Sequence, residues 1–306
     1  MKALTFYDVR DLRYEEVPEP EIEKEDDVIV KVKAVGICGS DIARYRNLGP
    51  YVKGNVWGHE FSGEVVEVGP AVTELKAGDR VAGCPNLVCH ECRYCKSGHP
   101  SRCESLNTIG AYVPGAFAEY IKMPAVNLVK MAESMTYEQG ALVEPATVAI
   151  HGLYQTNIKM GYEVAVVGCG NIGLMAIRWA KAFGAKKVFA IDIDDAQLEI
   201  ARKFGADVLI NSTNIDFHDE IRKYGNGVDL AIESAGNPFT AARVLGLPKK
   251  GGEVVYMGIP YADVPVPRFY FERIMRNELT IIGSWCTISA PYPGEEWNNA
   301  VEYIGN

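Results

Sequence analysis

Four cysteines lie close together in the first part of the chain, at Cys89, Cys92, Cys95 and Cys103. Their spacing, C-x2-C-x2-C-x7-C, supplies four thiolates, which are enough to complete the tetrahedral shell of a zinc ion. Free thiols in an exposed loop would instead be open to oxidation and would bring no packing benefit. The pattern therefore predicts a structural zinc site without an open coordination position. Cys84, at the end of an apolar strand, is expected to be a core thiol.

A second group of potential metal ligands is spread over three distant segments. Cys38 lies in GICGSD, His59 and Glu60 lie in GHEFSG, and Glu144 lies in LVEPAT. Each has a simpler explanation, as a buried thiol, a histidine beside an acid at a strand edge, or an acid at a helix start. An unpaired charge at Glu144 would be costly, however, because the surrounding stretch is apolar. A zinc ion with one open position for water or an alcohol would account for all four residues together.

The segment VAVVGCGNIG contains a glycine pattern of the kind that binds dinucleotides. Gly168, Gly170 and Gly173 form G-x-G-x-x-G directly after an apolar strand and at the start of a helix, with Asn171 and Ile172 inside the pattern. Glycines allow a tight turn and the close approach of a pyrophosphate, whose charge is stabilised by the free N–H groups of the helix start. A plain strand-to-helix turn is the alternative, but the context favours a cofactor site.

The next predicted strand, KVFAID, ends at Asp192. A carboxylate at this point can accept hydrogen bonds from both ribose hydroxyls and repels a 2′-phosphate, so it favours NAD over NADP. The alternative is that Asp192 caps the following helix, a role that Asp194 could fill instead.

The surrounding sequence indicates two domains that position these residues. Residues 1–145 contain short strands separated by Gly and Pro, which predicts a barrel-like β domain. Residues 146–306 alternate between strands and helices, a rhythm typical of a doubly wound parallel sheet. The predicted fold class is therefore α/β, with the apolar segment 140–158 joining the two domains.

The composition favours small molecules over macromolecules as partners. The 306 residues include 31 basic and 40 acidic ones, and the net charge of −9 disfavours binding to nucleic acid or to an anionic membrane. Eight cysteines in a chain without a secretory signal indicate metal ligands and core thiols rather than disulfides. The sequence also lacks an apolar segment long enough to span a bilayer, so we expect a cytoplasmic location.

Six sequence segments, taken in order, carry a resemblance to a known family: GICGSD, GHEFSGEVVEVG, the four-cysteine loop, VEPATVAIHG, VVGCGNIG and AID. Over essentially its whole length the chain resembles the zinc-dependent medium-chain dehydrogenase/reductase family, in its polyol dehydrogenase branch. The resemblance implies a GroES-like catalytic domain, a Rossmann domain and an active-site cleft between them. It also implies two zinc ions per chain, NAD as cofactor, and a homodimer or homotetramer assembled through the edge of the Rossmann sheet.

The resemblance also assigns roles to individual residues. Cys38, His59 and Glu144 would hold the catalytic zinc, and Glu60 would either ligate directly or exchange with Glu144 through water. Zinc would lower the pKa of a secondary alcohol, Ser40 would relay the alcohol proton, and hydride would pass to NAD to leave a ketose. Many members have a histidine soon after the C-x-[ST]-D motif, which DIARYRNLGP lacks, so the exit of the proton from Ser40 is open.

The end of the chain departs from the family pattern. Members continue past the final helix with a segment that returns to the catalytic domain, whereas this sequence stops at VEYIGN. We therefore expect the return segment to be missing.

The polyol branch implies a polyol or polyol phosphate as substrate, and we expect galactitol 1-phosphate to be oxidised to tagatose 6-phosphate. A phosphate group needs cationic donors, and Arg44, Arg46 and Lys53 lie close in sequence to the zinc ligands. A solvated basic loop is the alternative for these residues. Trp285 is a candidate wall of the cleft, although single aromatics are more often core. The alternative functions are dehydrogenation of sorbitol or another polyol, of butanediol or of threonine, or cofactor binding without turnover.

Overall fold

The computed structural model describes residues 1–305, which form two compact units. The first unit contains Met1–Thr147 together with the residues from Cys286 onward, and the second contains Val148–Trp285. Within residues 1–305, every helix is too short or too polar to cross a membrane.

The first unit is built mainly from short antiparallel strands. They are β1 (Lys2–Asp8), β2 (Asp11–Glu16), β3 (Asp27–Gly36), β4 (Asn55–Val56), β5 (Glu60–Val68), β6 (Arg80–Gly83), β7 (Asn86–Leu87), β8 (Asn107–Thr108), β9 (Tyr120–Pro124) and β10 (Leu128–Lys130). A five-stranded sheet has the order β10-β6-β5-β3-β9, a three-stranded sheet has the order β2-β1-β4, and β7 pairs with β8. Alternate apolar residues of β3 and β5, including Val28, Val30, Phe61 and Val65, form the core of this unit.

Short helices connect these strands and carry several candidate site residues. They are α1 (Gly39–Ala43), which runs into a π-helical turn (Arg44–Leu48), then α2 (Arg93–Lys96), α3 (Tyr137–Ala141) and α4 (Val143–Tyr154). Helix α3 begins at a capping box in which Thr136 Oγ1 accepts from the Gln139 amide at 3.2 Å and Gln139 Oε1 accepts from the Thr136 amide at 2.8 Å. The cap fixes the start of the helical segment that leads directly to Glu144 at the start of α4.

The second unit is a parallel six-stranded sheet with connecting helices. Its strands are β11 (Glu163–Val167), β12 (Lys187–Asp192), β13 (Val208–Asn211), β14 (Val228–Glu233), β15 (Pro248–Tyr256) and β16 (Thr280–Gly283). Its connecting helices are α5 (Asn171–Ala182), α6 (Asp195–Phe204), α7 (Phe217–Arg222), α8 (Pro238–Arg243) and α9 (Arg268–Arg276). The strand order is β13-β12-β11-β14-β15-β16. The chain adds β12 and β13 on one side of β11 and then β14, β15 and β16 on the other side, so the order of addition reverses between β11 and β14. The carboxyl ends of these two strands therefore form a switch point, which is where sheets of this kind bind ligands.

The predicted α/β class is confirmed, with a β-rich first part and a doubly wound parallel sheet in the second. The structure differs from the predicted division at residues 286–306, which we had assigned to the second domain together with 146–285. From Cys286 onward the chain belongs to the first unit, and it ends in helix α10 (Glu295–Gly305). The expectation that a return segment is missing is therefore wrong, because the chain from Cys286 onward already returns to the first unit.

Polar contacts explain this return. The Tyr292 hydroxyl donates to the Asn86 carbonyl and accepts from Asn127 Nδ2 at 2.6 Å. Thr287 Oγ1 donates to Asn86 Oδ1 at 3.1 Å, and Ser134 Oγ donates to the carbonyl of Gly305 at 2.6 Å. The bonds of Thr287 and Tyr292 satisfy buried or part-buried groups on both segments, and the exposed Ser134 bond attaches the end of α10.

Candidate metal centres and cofactor site

The four cysteines of the first motif converge in one loop. One sulfur from each of Cys89, Cys92, Cys95 and Cys103 lies within 4.8 Å of the others. The Cys103 and Cys89 sulfurs are 3.5 Å apart, and all four thiols are free of disulfides. Cys92 caps the start of α2, so this short helix sets the position of Cys95 as well.

Backbone amides point at the sulfurs of this loop. Cys89 Sγ accepts from the Cys92 amide at 3.3 Å, and Cys103 Sγ accepts from the Cys89 and Ser105 amides at 3.4 Å. The amide of Cys95 helps to lower the pKa of Cys92 to about 6, whereas desolvation and the neighbouring thiols raise the pKa of Cys95 to about 12. A shared cation would allow all four sulfurs to be thiolates, and N–H···S bonds of this kind suit a zinc ion with four sulfur ligands.

The second motif is assembled from strand ends that are far apart in sequence. Cys38 follows β3 and caps α1, while His59 immediately precedes β5 and Glu60 is its first residue. One ligand atom each from Cys38, His59 and Glu60 lies within 4.8 Å of the others. Gly36 pairs with Glu60 across β3 and β5, and a Cβ on Gly36 would overlap the Glu60 carboxylate. The glycine therefore leaves the room that the Glu60 side chain needs.

Glu144 lies outside that compact group but close to it. Burial raises the pKa of Glu144 well above its usual value, with the nearby charge of His59 opposing this shift and those of Glu60 and Cys38 reinforcing it. Burial also raises the pKa of Glu60, and it raises the pKa of the Cys38 thiol to about 12. The donor set thus combines one thiol, one half-buried imidazole and two buried carboxyls. Such a set fits a divalent cation of borderline softness such as zinc.

A third carboxylate, Asp41, also faces this cluster, and our sequence reasoning overlooked it. Asp41 Oδ2 accepts from the Cys38 amide at 2.9 Å, and Oδ1 lies 3.8 Å from His59 Nδ1. Oδ1 has no hydrogen-bond partner within the described chain, and neither has the buried indole nitrogen of Trp57. The Asp41 carboxylate therefore faces the Nδ1 side of the His59 ring. The only available signal was the GSD motif, which puts an acid in the first turn of a helix that follows a candidate ligand.

The glycine motif lies at the switch point of the parallel sheet. Gly168 follows β11 with a φ of 92°, and a side chain there would collide with Ala235 after β14. A Cβ on Gly173 would overlap the Gly168 carbonyl, so both positions require glycine. Gly170 caps α5 and has open space on its Cα side, while Asn171 and Ile172 form the first turn. The open approach to free helix amides fits the pyrophosphate of a dinucleotide.

Asp192 ends β12 beside this turn. Its Oδ2 accepts from the Cys169 amide inside the glycine motif at 2.6 Å, and its Oδ1 accepts from the amides of Ile193 and Asp194 at 2.7 and 3.0 Å. The cap of α6 is Asp194, whose side chain accepts from the Ala196 amide at 2.8 Å. Asp192 is therefore not needed as a helix cap.

The candidate substrate residues do not converge in the same way. Arg44 stacks over the Tyr51 ring at 3.3 Å and donates to the Gly49 carbonyl at 3.0 Å, while Lys53 pairs with Asp8 at 2.9 Å. Arg46 is exposed and has no acidic partner within residues 1–305. Trp285, which is 57% exposed, ends the second unit.

Family models match both parts of the chain. Residues 24–133 match the alcohol dehydrogenase GroES-like domain, and residues 171–305 match the zinc-binding dehydrogenase family. The chain is 40% identical over 291 residues to sorbitol dehydrogenase of Bacillus subtilis, covering 92% of this chain and 81% of that protein. The chain belongs to the zinc-dependent medium-chain dehydrogenase family. As a member of this family it is a zinc-dependent alcohol or polyol dehydrogenase that uses NAD(P).

Other members of the zinc-dependent medium-chain dehydrogenase family match to a similar extent. Galactitol 1-phosphate 5-dehydrogenase of Escherichia coli K12 is 37% identical over 284 residues, covering 92% of this chain and 82% of that protein. The crystal structure of galactitol-1-phosphate dehydrogenase from Escherichia coli has a TM-score of 0.95 at 35% identity, covering 99% and 88%. A Sinorhizobium meliloti protein described as a zinc-binding dehydrogenase, bound to NADP, has a TM-score of 0.89 at 32% identity, covering 99% and 88%. The predicted family and the GroES-like and Rossmann folds are confirmed.

Proposed function

We propose that the chain oxidises a secondary alcohol of galactitol 1-phosphate to the ketone of tagatose 6-phosphate. The observation that carries the chemistry is the convergence of Cys38, His59 and Glu60 within 4.8 Å, beside the buried Glu144. The likeness to the Escherichia coli galactitol 1-phosphate enzyme in sequence and in structure supports the choice of substrate.

Different residues of this chain have different roles in the proposed reaction. Zinc held by Cys38, His59 and either Glu60 or Glu144 would supply Lewis acidity to the alcohol, and NAD would supply the hydride acceptor. Ser40 lies in the first turn of α1, with its hydroxyl beside the Cys38 thiol. Its Oγ receives the alcohol proton as it gives up its own. Helix α1 has the sequence GSDIA and offers no histidine, so the proton leaves Ser40 through water or the cofactor ribose.

Oxidation of sorbitol is the second candidate, because the Bacillus subtilis sorbitol dehydrogenase shares 40% identity with this chain. The two substrates differ by a phosphate group and by the configuration at one carbon. Arg44 and Lys53 already have other partners, which leaves Arg46 as the candidate phosphate contact in the π-helical turn. An Arg46 contact should strengthen binding of the phosphorylated polyol and leave binding of sorbitol unchanged.

The test is kcat/KM of the zinc-loaded chain with NAD and galactitol 1-phosphate, galactitol, sorbitol, 2,3-butanediol and threonine. We expect kcat/KM for galactitol 1-phosphate to exceed that for galactitol by at least roughly tenfold, since a hydrogen bond between charged groups contributes about 1.5–3 kcal/mol. Arg46→Ala should remove that preference, with Lys53→Ala as the control that keeps it. Sorbitol turned over faster than galactitol 1-phosphate would establish the second candidate, and no NADH from any alcohol would contradict both.

We also infer that NAD is preferred over NADP. The support is the Asp192 carboxylate, which is fixed by three backbone amides beside the glycine turn. A 2′-phosphate at this point would meet a negative charge. Asp192→Ala should reduce the NAD preference by roughly tenfold, on the scale of one unfavourable charge pair. A higher kcat/KM of the wild type with NADP than with NAD would contradict the assignment.

We propose in addition that the chain forms a homodimer through β16. Strand β16 pairs with β15 on one side only within the described chain, and its Ile281 is 40% exposed. An open strand edge of this kind is a template for pairing with another copy. Ile281→Lys should convert the dimer to a monomer in light scattering; a wild-type chain that is monomeric at micromolar concentration would overturn the proposal.

A further inference from the structure

The second unit contains an open cavity of about 570 Å³ that belongs to neither motif. It lies at the amino-terminal edge of the parallel sheet, beside the starts of β14 and β15, whereas the glycine turn lies at the carboxyl edge. The cavity is bordered by the ends of α7 and α9 as well. Its lining consists of four cations and two amides, namely Arg222, Asn226, Lys249, Lys250, Arg273 and Asn277.

The cavity lining contains no acid, although the whole chain carries a net charge of −9. Arg222 pairs with Asp219 one turn earlier in α7, and Lys249 pairs with Asp229 in β14. Lys250 and Arg273 have no carboxylate within 4 Å in residues 1–305. Arg273 also lies over the Phe269 ring at 4.9 Å, so two positive charges at one site of an acidic protein lack a carboxylate partner.

An amide side chain also borders the cavity. Asn277 is only 8% exposed, and its backbone is satisfied because its amide donates to the Arg273 carbonyl and its carbonyl accepts from the Gly251 amide. These backbone bonds fix Asn277 at the cavity, where its side chain can donate to a bound oxygen.

We propose that this cavity binds a small anion with two phosphate groups, of the pyrophosphate type. Arg222 and Arg273 present planar guanidinium groups that match phosphate oxygens, while Lys249 and Lys250 add charge at the start of β15. The Asn277 amide donates to a further oxygen. A cavity of about 570 Å³ is in the size range of small-molecule sites. The site is separate from the catalytic cluster and does not depend on which alcohol the chain oxidises.

The experiment is a calorimetric titration of the zinc-loaded chain with pyrophosphate, with saturating NAD present so that the glycine turn is occupied. The ionic strength is held constant with sodium chloride, and zinc content is measured before and after, because pyrophosphate also binds zinc. We expect saturable binding without loss of zinc. Orthophosphate should bind at least roughly tenfold more weakly, since it offers one charged group instead of two. Equal affinity for the two anions would overturn a site for two phosphate groups.

Three charge reversals locate the binding. Lys250→Glu and Arg273→Glu should each weaken pyrophosphate binding by roughly tenfold or more, because each replaces a charge-assisted contact with a repulsion. Lys203→Glu makes the same change in net charge on the exposed face of α6, away from the cavity lining, and should bind like the wild type. Thermal unfolding without ligand shows that each variant is folded, and Lys250 is the more exposed of the two test positions. Equal affinity in all three variants, or no saturable binding by the wild type, would overturn the proposal.

Discussion

The two cysteine-containing clusters of the first unit differ in how they are built. Cys89, Cys92, Cys95 and Cys103 come from one loop, and the short helix α2 with its backbone amides is sufficient to bring them together. Cys38, His59 and Glu60 come from the end of β3 and the start of β5, and they meet only because these strands pair. A loop can thus hold a metal with local structure alone, whereas the second cluster depends on the sheet.

The electrostatic environments of the two clusters also differ. In the loop, backbone N–H groups lower the pKa of Cys92 to about 6, whereas burial and the neighbouring thiols raise the pKa of Cys95 to about 12. In the second cluster, burial raises the pKa of Cys38 to about 12 and raises those of Glu60 and Glu144. Burying these acids costs free energy that a cation offsets. We therefore expect the loop to retain its metal, and the second cluster to bind a metal whose charge acts on a reacting group.

Replacement of Cys38 should have the largest effect on activity and should distinguish the roles of the two clusters most clearly. Cys38→Ala should lose one zinc ion per chain and lower kcat by roughly a thousandfold, because Lewis acid stabilisation is worth several kcal/mol. Its unfolding midpoint should stay near that of the wild type at about pH 5 and fall below it only as the pH rises. Elemental analysis, steady-state kinetics and thermal unfolding measure the three quantities. Cys84→Ala removes a buried thiol outside both clusters and should keep the full metal content.

Removal of Cys103 should give the opposite pattern. Cys103→Ala should also lose one zinc ion, but its main effect should be on stability, lowering the free energy of unfolding by about 3 kcal/mol or more, the scale of a lost metal site. Thermal and urea unfolding with zinc analysis are the measurements. If Cys103→Ala kept the full metal content, or lost activity without losing stability, the structural role of the loop would be wrong.

The second cluster can be weakened without touching a ligand. Asp41→Asn keeps an acceptor for the Cys38 amide but removes the negative charge that faces His59 Nδ1. We expect zinc affinity at this cluster to fall by roughly 10- to 100-fold, the usual effect of losing a group that orients a metal ligand. Competition with a zinc chelator measures it. Asp79→Asn, which removes a carboxylate paired with Lys130 elsewhere in the unit, should leave the affinity unchanged; an equal loss in both variants would exclude a specific role for Asp41.

The contrast between the clusters also explains how far the sequence could be interpreted. The loop cysteines and the glycine motif were found because their spacing is local, and the strand and helix periodicity indicated the two folds. Asp41 was missed because its contact with His59 exists only after β3 and β5 pair. The return from Cys286 onward was missed because Tyr292 bonds to Asn86 and Asn127, which are polar residues without a periodic signal. Lys53 pairs with Asp8, a partner that spacing along the chain does not reveal.

The smallest expected effect is a pH dependence that belongs to the second cluster alone. Since the folded-state pKa of Glu144 is raised above its usual 4.5, the folded chain without a metal there binds more protons than the unfolded chain. The stability from this group is therefore fully present below pH 4.5 and is lost as the pH rises through the raised pKa. A tenfold change in the proton affinity of one carboxyl group corresponds to about 1.4 kcal/mol.

The Cys38→Ala variant isolates this effect, because it should keep the loop zinc and leave Glu60 and Glu144 without a cation. Its unfolding midpoint should fall relative to that of the zinc-loaded wild type as the pH rises from about 5 to about 8, since zinc binds the deprotonated ligands. Adding Glu144→Gln should flatten the decline, because an amide does not titrate. If the unfolding midpoints of Cys38→Ala and of Cys38→Ala/Glu144→Gln changed with pH in parallel, the buried Glu144 carboxyl would not be the source of the pH dependence. The two clusters would then differ in how they are assembled but not in their charge.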